Sequence, residues 1–198
     1  MTGPQARPRI GVLAIQGDYA AHAEALTECG ADPLEIRKPE ELDGLDGLIL
    51  PGGESTTMLK FLEKRHFFEE LKRFCQRRPV FGTCAGAILL AREVRNPAQR
   101  SLAALDAAVE RNAYGRQIDS SILTAETSLD GGPLEMVFIR APQIVQTGPT
   151  VEILAQRDGF ATLVRQGNIM AATFHPELSA DRRVHREFVK AVIAAQQS

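Results

Sequence analysis

The chain has 198 residues, 44% of them apolar, and its 23 basic and 25 acidic side chains leave a net charge of −2. A chain of this length buries roughly 70% of its unfolded surface and needs no cross-links, and three cysteines, an odd and sparse set, argue against a disulfide scaffold and for a reducing cytoplasm. The balanced charge excludes a general pull toward nucleic acid or anionic membrane, and no apolar run is long enough to span a bilayer.

The N-terminal "MTGPQARPR" lacks the apolar stretch of a signal peptide. Residues 1–8 are expected to fray, and residues 1–198 to form a single domain. "RIGVLAI" (Arg9–Ile15) is a continuous apolar run, as expected of a strand buried on both faces. "DYAAHAEALTEC" predicts a helix with Ala21, Ala25, Leu26 and Cys29 on one face, stopped by Gly30. "PLEIRKP" and "LDGLIL" predict two short strands, and "PGGEST" a turn. Helical spacing resumes from Thr56, with Phe67, Phe68, Leu71, Phe74 and Cys75 as a stripe. "PVFGT" is the next buried strand and "AGAILLARE" the next helix. This alternation predicts an α/β fold, a three-layer sandwich with a mainly parallel central sheet and helices on both faces.

From Val109 to Thr173 the pattern changes to short alternating segments, among them "DSSILTAE", "LEMVFIRA", "TVEILAQ", "FATLVRQG" and "NIMAATF", punctuated by Gly, Pro, Asn and Asp. They predict an additional antiparallel strand region. "RRVHREFVKAVIAAQ" closes the chain as a helix with Val184, Phe188, Val192 and Ala195 buried and a basic, solvated face.

The chemistry concentrates at "GTCAG". Cys84 stands between a predicted strand and a predicted helix, flanked by Gly82 and Gly86. A sharp turn there lifts a nucleophile above the strand ends while the glycines let neighbouring backbone pass close. The amides that follow, beginning with Ala85, sit at a helix mouth that favours a thiolate and can hold an oxyanion. Cys75 and Cys29 read as packing residues. A thiolate needs a proton carrier, and the carrier needs an orienter. His22, His66 and His185 read as surface or packing residues. His175 in "FHPEL" follows a buried strand, and Glu177, two residues on, projects to the same side if the segment is extended. In "LPGGEST", Gly52 and Gly53 suit close ligand approach and a second oxyanion donor. Glu54 could accept from an ammonium group, and Ser55 or Thr56 could cap the next helix. Arg111 and Arg140 offer bidentate partners for a carboxylate. There is no P-loop, no GxGxxG after the first strand and no Cys/His metal spacing. These residues alone leave open a glutamine hydrolase, another cysteine enzyme such as a γ-glutamyl peptidase, or a non-catalytic binding module.

Taken together, "LAIQGD", "LPGGESTTM", "FGTCAG", "VERNAYGRQ", "VFIRAP" and "TFHPEL" resemble the glutaminase subunits of pyridoxal 5'-phosphate synthase, a family of class I, triad-type glutamine amidotransferases. The resemblance runs from Ile10 to the final helix. It implies Cys84 as nucleophile, His175 as general base and acid, and Glu177 as orienter. It implies glutamine binding by Gly52, Gly53, Glu54, Arg111, Ile139 and Arg140. It places Gln16 near the oxyanion region and the subunit interface, beside the oxyanion donors expected at Gly53 and Ala85 from the backbone. It further implies L-glutamine as substrate, no cofactor and no metal, a cytoplasmic setting, and a TIM-barrel synthase partner in a complex of twelve of each subunit. Three positions depart from the family pattern: Ala14 where glycine is frequent, Asp18 where a small residue is usual, and Ala87 where a larger aliphatic residue is common.

Overall fold

The structure, a computed structural model, describes residues 6–112 and 121–197. Residues 1–5 of the expected frayed end, the "AYGRQ" part of "VERNAYGRQ" and the first two residues of "DSSILTAE" lie outside the described residues. In chain order the first half runs β1 (Arg9–Leu13), α1 (Tyr19–Glu28), β2 (Asp32–Ile36), β3 (Gly47–Leu50), α2 (Ser55–Glu63), α3 (Phe67–Cys75), β4 (Val80–Thr83) and α4 (Ala85–Leu90). The second half runs β5 (Ala91–Arg95), β6 (Leu105–Glu110), β7 (Ser121–Ala125), β8 (Leu134–Phe138), β9 (Gln143–Thr147), β10 (Glu152–Arg157), β11 (Phe160–Gln166), β12 (Ile169–Ala172) and α5 (Arg183–Ala195).

The main sheet has the order β2-β1-β3-β4-β12-β11-β9-β6-β5, with β10 against β11, and β7 and β8 form a separate two-stranded sheet. Strands β2, β1, β3, β4 and β12 are mutually parallel. The antiparallel region anticipated for the second half joins the same sheet through β12–β11, β11–β9 and β9–β6. In the parallel half, β3, β4 and β12 are buried at every residue, because both of their faces are covered. Alternate residues serve the two faces. Leu48, Leu50 and Val80 join the core under α2, α3 and α4 with Met58, Phe68, Leu71 and Leu90. Ile49 and Phe81 join the opposite core under α1 and α5 with Leu26, Phe174, Phe188 and Val192. These two cores are the interfaces of a three-layer sandwich.

Two elements differ from the sequence expectation. The predicted helix "AGAILLARE" ends at Leu90, and Ala91–Arg95 becomes β5, paired in parallel with β6 from Ala91↔Leu105 to Arg95↔Glu110. Local propensity favours helix through Glu93, but a distant strand supplies a ladder that overrides it. The helical stretch from Thr56 is split by a 3₁₀ turn at Lys64–His66, where His66 takes a φ of 60°. Among the described residues, no helix is long and apolar enough to cross a membrane.

The parallel order brings the carboxyl ends of β1, β3, β4 and β12 to one edge, where open α/β sheets build their sites. Small residues hold that edge tight. A Cβ on Gly86 would lie 1.9 Å from the Leu50 carbonyl oxygen, and one on Gly82 would lie 2.5 Å from the Gly86 carbonyl carbon. Helix α4 therefore rests directly on the backbone of β3 and β4, which explains the glycines on either side of Cys84.

Candidate active site

Strand β4 passes into α4 through one residue, Cys84, at φ 48° and ψ −102°. A non-glycine residue at such angles is strained, and it persists because the surroundings fix it. The Cys84 N–H donates to the Ala172 carbonyl at 2.9 Å, and its own carbonyl accepts from the Ile88 N–H at 3.2 Å. The corner is thereby tied to both β12 and α4, and the residue is 6% exposed.

His175 follows β12, with its N–H donating to the Val137 carbonyl at 2.8 Å. Its ring Nδ1 stands 2.7 Å from Glu177 Oε1. Extended backbone is the expected route between these side chains. The structure brings them together through a 3₁₀ turn, Pro176–Leu178, with proline in its first turn. The contact is the expected one and the route differs, because proline starts a tight turn as readily as it extends a chain. Nε2, the opposite ring nitrogen, is buried and has no conventional hydrogen bond among the described residues. Burial works against the imidazolium, but the neighbouring Cys84 sulfur and the Glu177 carboxylate outweigh it and raise His175 to about 10.

A pKa raised above the ordinary 6.5 means that the native state favours the protonated ring. The resulting stabilisation is complete below about pH 6.5 and is lost as pH rises through about 10. The urea midpoint of the protein should therefore fall toward that of a His175→Gln variant across this window. Parallel pH curves for the two proteins would count against the paired imidazolium.

The loop after β3 forms the facing wall. A Cβ on Gly52 would sit 2.4 Å from His175 Cε1, and one on Gly53, at φ 131°, would meet the Gln16 side chain at 3.0 Å. Gln16 Nε2 donates to the Glu54 carbonyl at 2.5 Å, so this amide fastens the loop after β1 to the glycine loop. The Glu54 carboxylate is the cap of α2: it accepts from Thr56 N–H at 3.0 Å, Thr57 N–H at 2.7 Å and Thr57 Oγ1 at 2.8 Å. Burial alone would raise its pKa, but these donors lower it to about 2. Ser55 and Thr56, the caps suggested by the sequence, are used otherwise: Ser55 Oγ donates to Gln99 Oε1 at 3.0 Å, and Thr56 Oγ1 accepts from Arg111 Nη2 at 2.9 Å. The same Arg111 nitrogen lies 3.4 Å from Glu54 Oε1.

A cavity of about 300 Å³ opens over this edge, at the lower end of small-molecule sites. Of the residues anticipated from sequence, Gly52, Gly53, Glu54, Cys84, Arg111, Ile139, Arg140 and His175 line it. Gln16, Ala85 and Glu177 stand behind the lining, the last two wholly or nearly buried. Arg140 has a φ of 43°, a second strained non-glycine residue at the rim. Gly17, Asp18, Ser55, Ile88 and Asn112 also line the cavity and were not anticipated as site residues. Asp18 had a signal, as a departure from the family pattern at the start of α1. Ligating atoms of Asp18, His175 and Glu177 lie within 4.8 Å of one another.

A model of the SNO glutamine amidotransferase family matches residues 12–194. The chain belongs to this family. Among curated proteins, the pyridoxal 5'-phosphate synthase subunit PdxT of Koribacter versatilis is 59% identical over 184 residues, which cover 93% of this chain and 95% of that protein. The PdxT subunit of Thermotoga maritima is 52% identical over 186 residues, covering 93% and 99%. A solved glutamine amidotransferase superposes with a TM-score of 0.86 at 45% identity, covering 92% of this chain and 98% of that one. The resemblance read from the motifs is thus borne out for family and fold. Within this amidotransferase, the cavity over Cys84 and His175 is the place to look for glutamine chemistry.

Proposed function

We infer that this amidotransferase hydrolyses L-glutamine to L-glutamate and ammonia through a thioester on Cys84, and that the ammonia serves pyridoxal 5'-phosphate synthesis. The observation that supports this most is the strained Cys84 corner opposite a His175 ring held by Glu177, over a cavity with arginines on its rim.

Glutamine enters with its α-carboxylate toward Arg111 and Arg140 and its α-ammonium toward the Glu54 carboxylate, which stays ionised while capping α2. The Cys84 thiolate attacks the side-chain carboxamide carbon; a C–S bond forms and the C=O electron pair moves onto oxygen. The N–H groups of Ala85 and Gly53 stabilise that oxygen, each good donor contributing roughly 3 kcal/mol. Collapse breaks the C–N bond as His175 hands its proton to the leaving nitrogen. The step is favoured because acylation removes the thiolate charge, one of the influences that hold the His175 proton. Neutral His175 then takes a proton from water, hydroxide attacks the thioester, and glutamate leaves as the thiolate reforms.

Free ammonia is best captured where it is made. The partner we propose is a TIM-barrel synthase subunit, in a cytoplasmic complex of twelve of each chain. The test is glutamate release by the purified chain, alone and with that synthase. An Arg111→Ala variant should raise KM for glutamine by about 10–100-fold, the worth of a lost charge-assisted hydrogen bond, with a smaller change in kcat. No glutamate release in either setting would refute the reading.

A further inference from the structure

On the far side of Glu177 from His175 lies a buried pair of histidines that the mechanism above does not use. His22 and His185 are both fully buried. His22 Nε2 is 3.2 Å from Glu177 Oε2 and 3.2 Å from Thr83 Oγ1. His22 Nδ1 is 2.9 Å from His185 Nε2. Burial above all, then the neighbouring His185 and His175 rings, hold His22 well below 6.5, and burial with Arg182 lowers His185 to about 3. Both rings are neutral at pH 7, so each carries one N–H. Around the pair, the Glu177 carboxylate faces His22 at 3.2 Å with His175 beyond it, and Arg182 and Glu28 face His185 and bond to each other at 2.6 Å.

The hydrogen-bond inventory selects one arrangement. If His22 carried its proton on Nδ1, its Nε2 lone pair would face the Glu177 carboxylate, and His185 would bury an unpaired Nδ1–H. If His22 carries it on Nε2, that N–H donates to Thr83 Oγ1 with Glu177 Oε2 also 3.2 Å from the nitrogen, off the line of the hydrogen bond, and the His185 Nε2–H donates to His22 Nδ1. Only a lone pair on His185 Nδ1 is then left without a partner, in keeping with its lack of a hydrogen bond among the described residues. Glu177 Oε2 has no conventional hydrogen bond among the described residues, and the His22 ring nitrogen lies 3.2 Å from it.

We propose that His22, protonated on Nε2 and backed by His185, is a positioning residue that fixes the second oxygen of Glu177 and so aims the His175 ring at Cys84. The line of contacts joins α1, the end of β4, the turn after β12 and α5 in one buried chain. Its catalytic meaning rests on the glutaminase reading; the tautomer does not.

Two measurements test it in the full-length chain. In ¹⁵N-histidine-labelled protein, the ring shifts of His22 should report the Nε2–H tautomer; an Nδ1–H tautomer overturns the proposal, whatever the activity. In the complex with the synthase, His22→Leu should lower kcat by roughly 10–100-fold, as loss of a group supporting a reactive centre does, with KM for glutamine little changed. The pH limit set by His175 should move downward, because a loosened carboxylate supports the imidazolium less. His22→Gln, whose amide nitrogen reaches the position of Nε2, should recover most of the rate and the limit. Full activity in His22→Leu, or a loss in His22→Gln as large as in His22→Leu, overturns the proposal. An inactive wild-type chain would instead refute the glutaminase reading and leave the tautomer test standing.

Discussion

Cys84→Ala should abolish glutamine hydrolysis, with a loss of at least about 10⁴-fold, while synthesis driven by added ammonia persists in the assembled complex. The size follows from the chemistry: without the sulfur no thioester forms, and the remaining groups can only polarise the amide toward water. The selectivity follows from the fold. Alanine meets the same strained φ of 48° that cysteine tolerates, and the hydrogen bonds at the corner are made by backbone atoms. The variant should therefore fold and dock. Glutamate release and ammonia-driven product formation are measured on the same preparation. Hydrolysis within ten-fold of wild type, or loss of both activities in a folded and docked variant, would contradict the assignment.

Gly52→Ala should lower kcat by roughly 100-fold, the scale expected when a catalytic group moves by about 1 Å. The added methyl group would sit 2.4 Å from His175 Cε1 and 3.1 Å from Nδ1. The ring has nowhere to go without cost, since Glu177 holds Nδ1 and the surroundings bury it. Either the ring turns off Cys84 or the glycine loop is pushed into the cavity. Overpacking of this kind also destabilises by about 1–3 kcal/mol. Gly30→Ala separates strain from catalysis: its φ is 85°, but among the described residues nothing lies within 4 Å of its Cβ. It should lose stability and keep its rate. Equal rates in the two variants would show that Gly52 does not set the position of the base.

Much of this was legible because the signals are local. The apolar runs of β1, β3, β4 and β12 reflect burial on both faces, and the glycines around Cys84 reflect one tight corner. What escaped depends on distant partners. The end of α4 at Leu90 is set by β6, whose sequence lies beyond the helix. The cap of α2 is Glu54 because its carboxylate reaches two N–H groups at once, whereas short hydroxyl residues were the expected caps. His22 did carry a signal: it lies three, four and seven residues before Ala25, Leu26 and Cys29, on the buried face of α1. Its contact with Glu177, 155 positions later in the chain, could not be read from that spacing. Gln16, Ile139 and Ala85 were picked out by resemblance or by backbone reasoning, and the structure gives each a different place: fastening a loop, lining the cavity, and starting α4.

We propose that Cys84 is the single reactive thiol and that His175 makes it so. The most direct measurement is mass-spectrometric mapping of the adduct left by a glutamine-like electrophile on the complex with the synthase. Cys75 and Cys29 are internal controls: burial pushes the Cys75 thiol up to about 12 and raises that of Cys29. One adduct is expected, on Cys84, suppressed by excess glutamine and slowed in His175→Ala. An unlabelled Cys84 in a complex that still hydrolyses glutamine, or labelling that falls on Cys29 or Cys75 instead, would contradict the proposal.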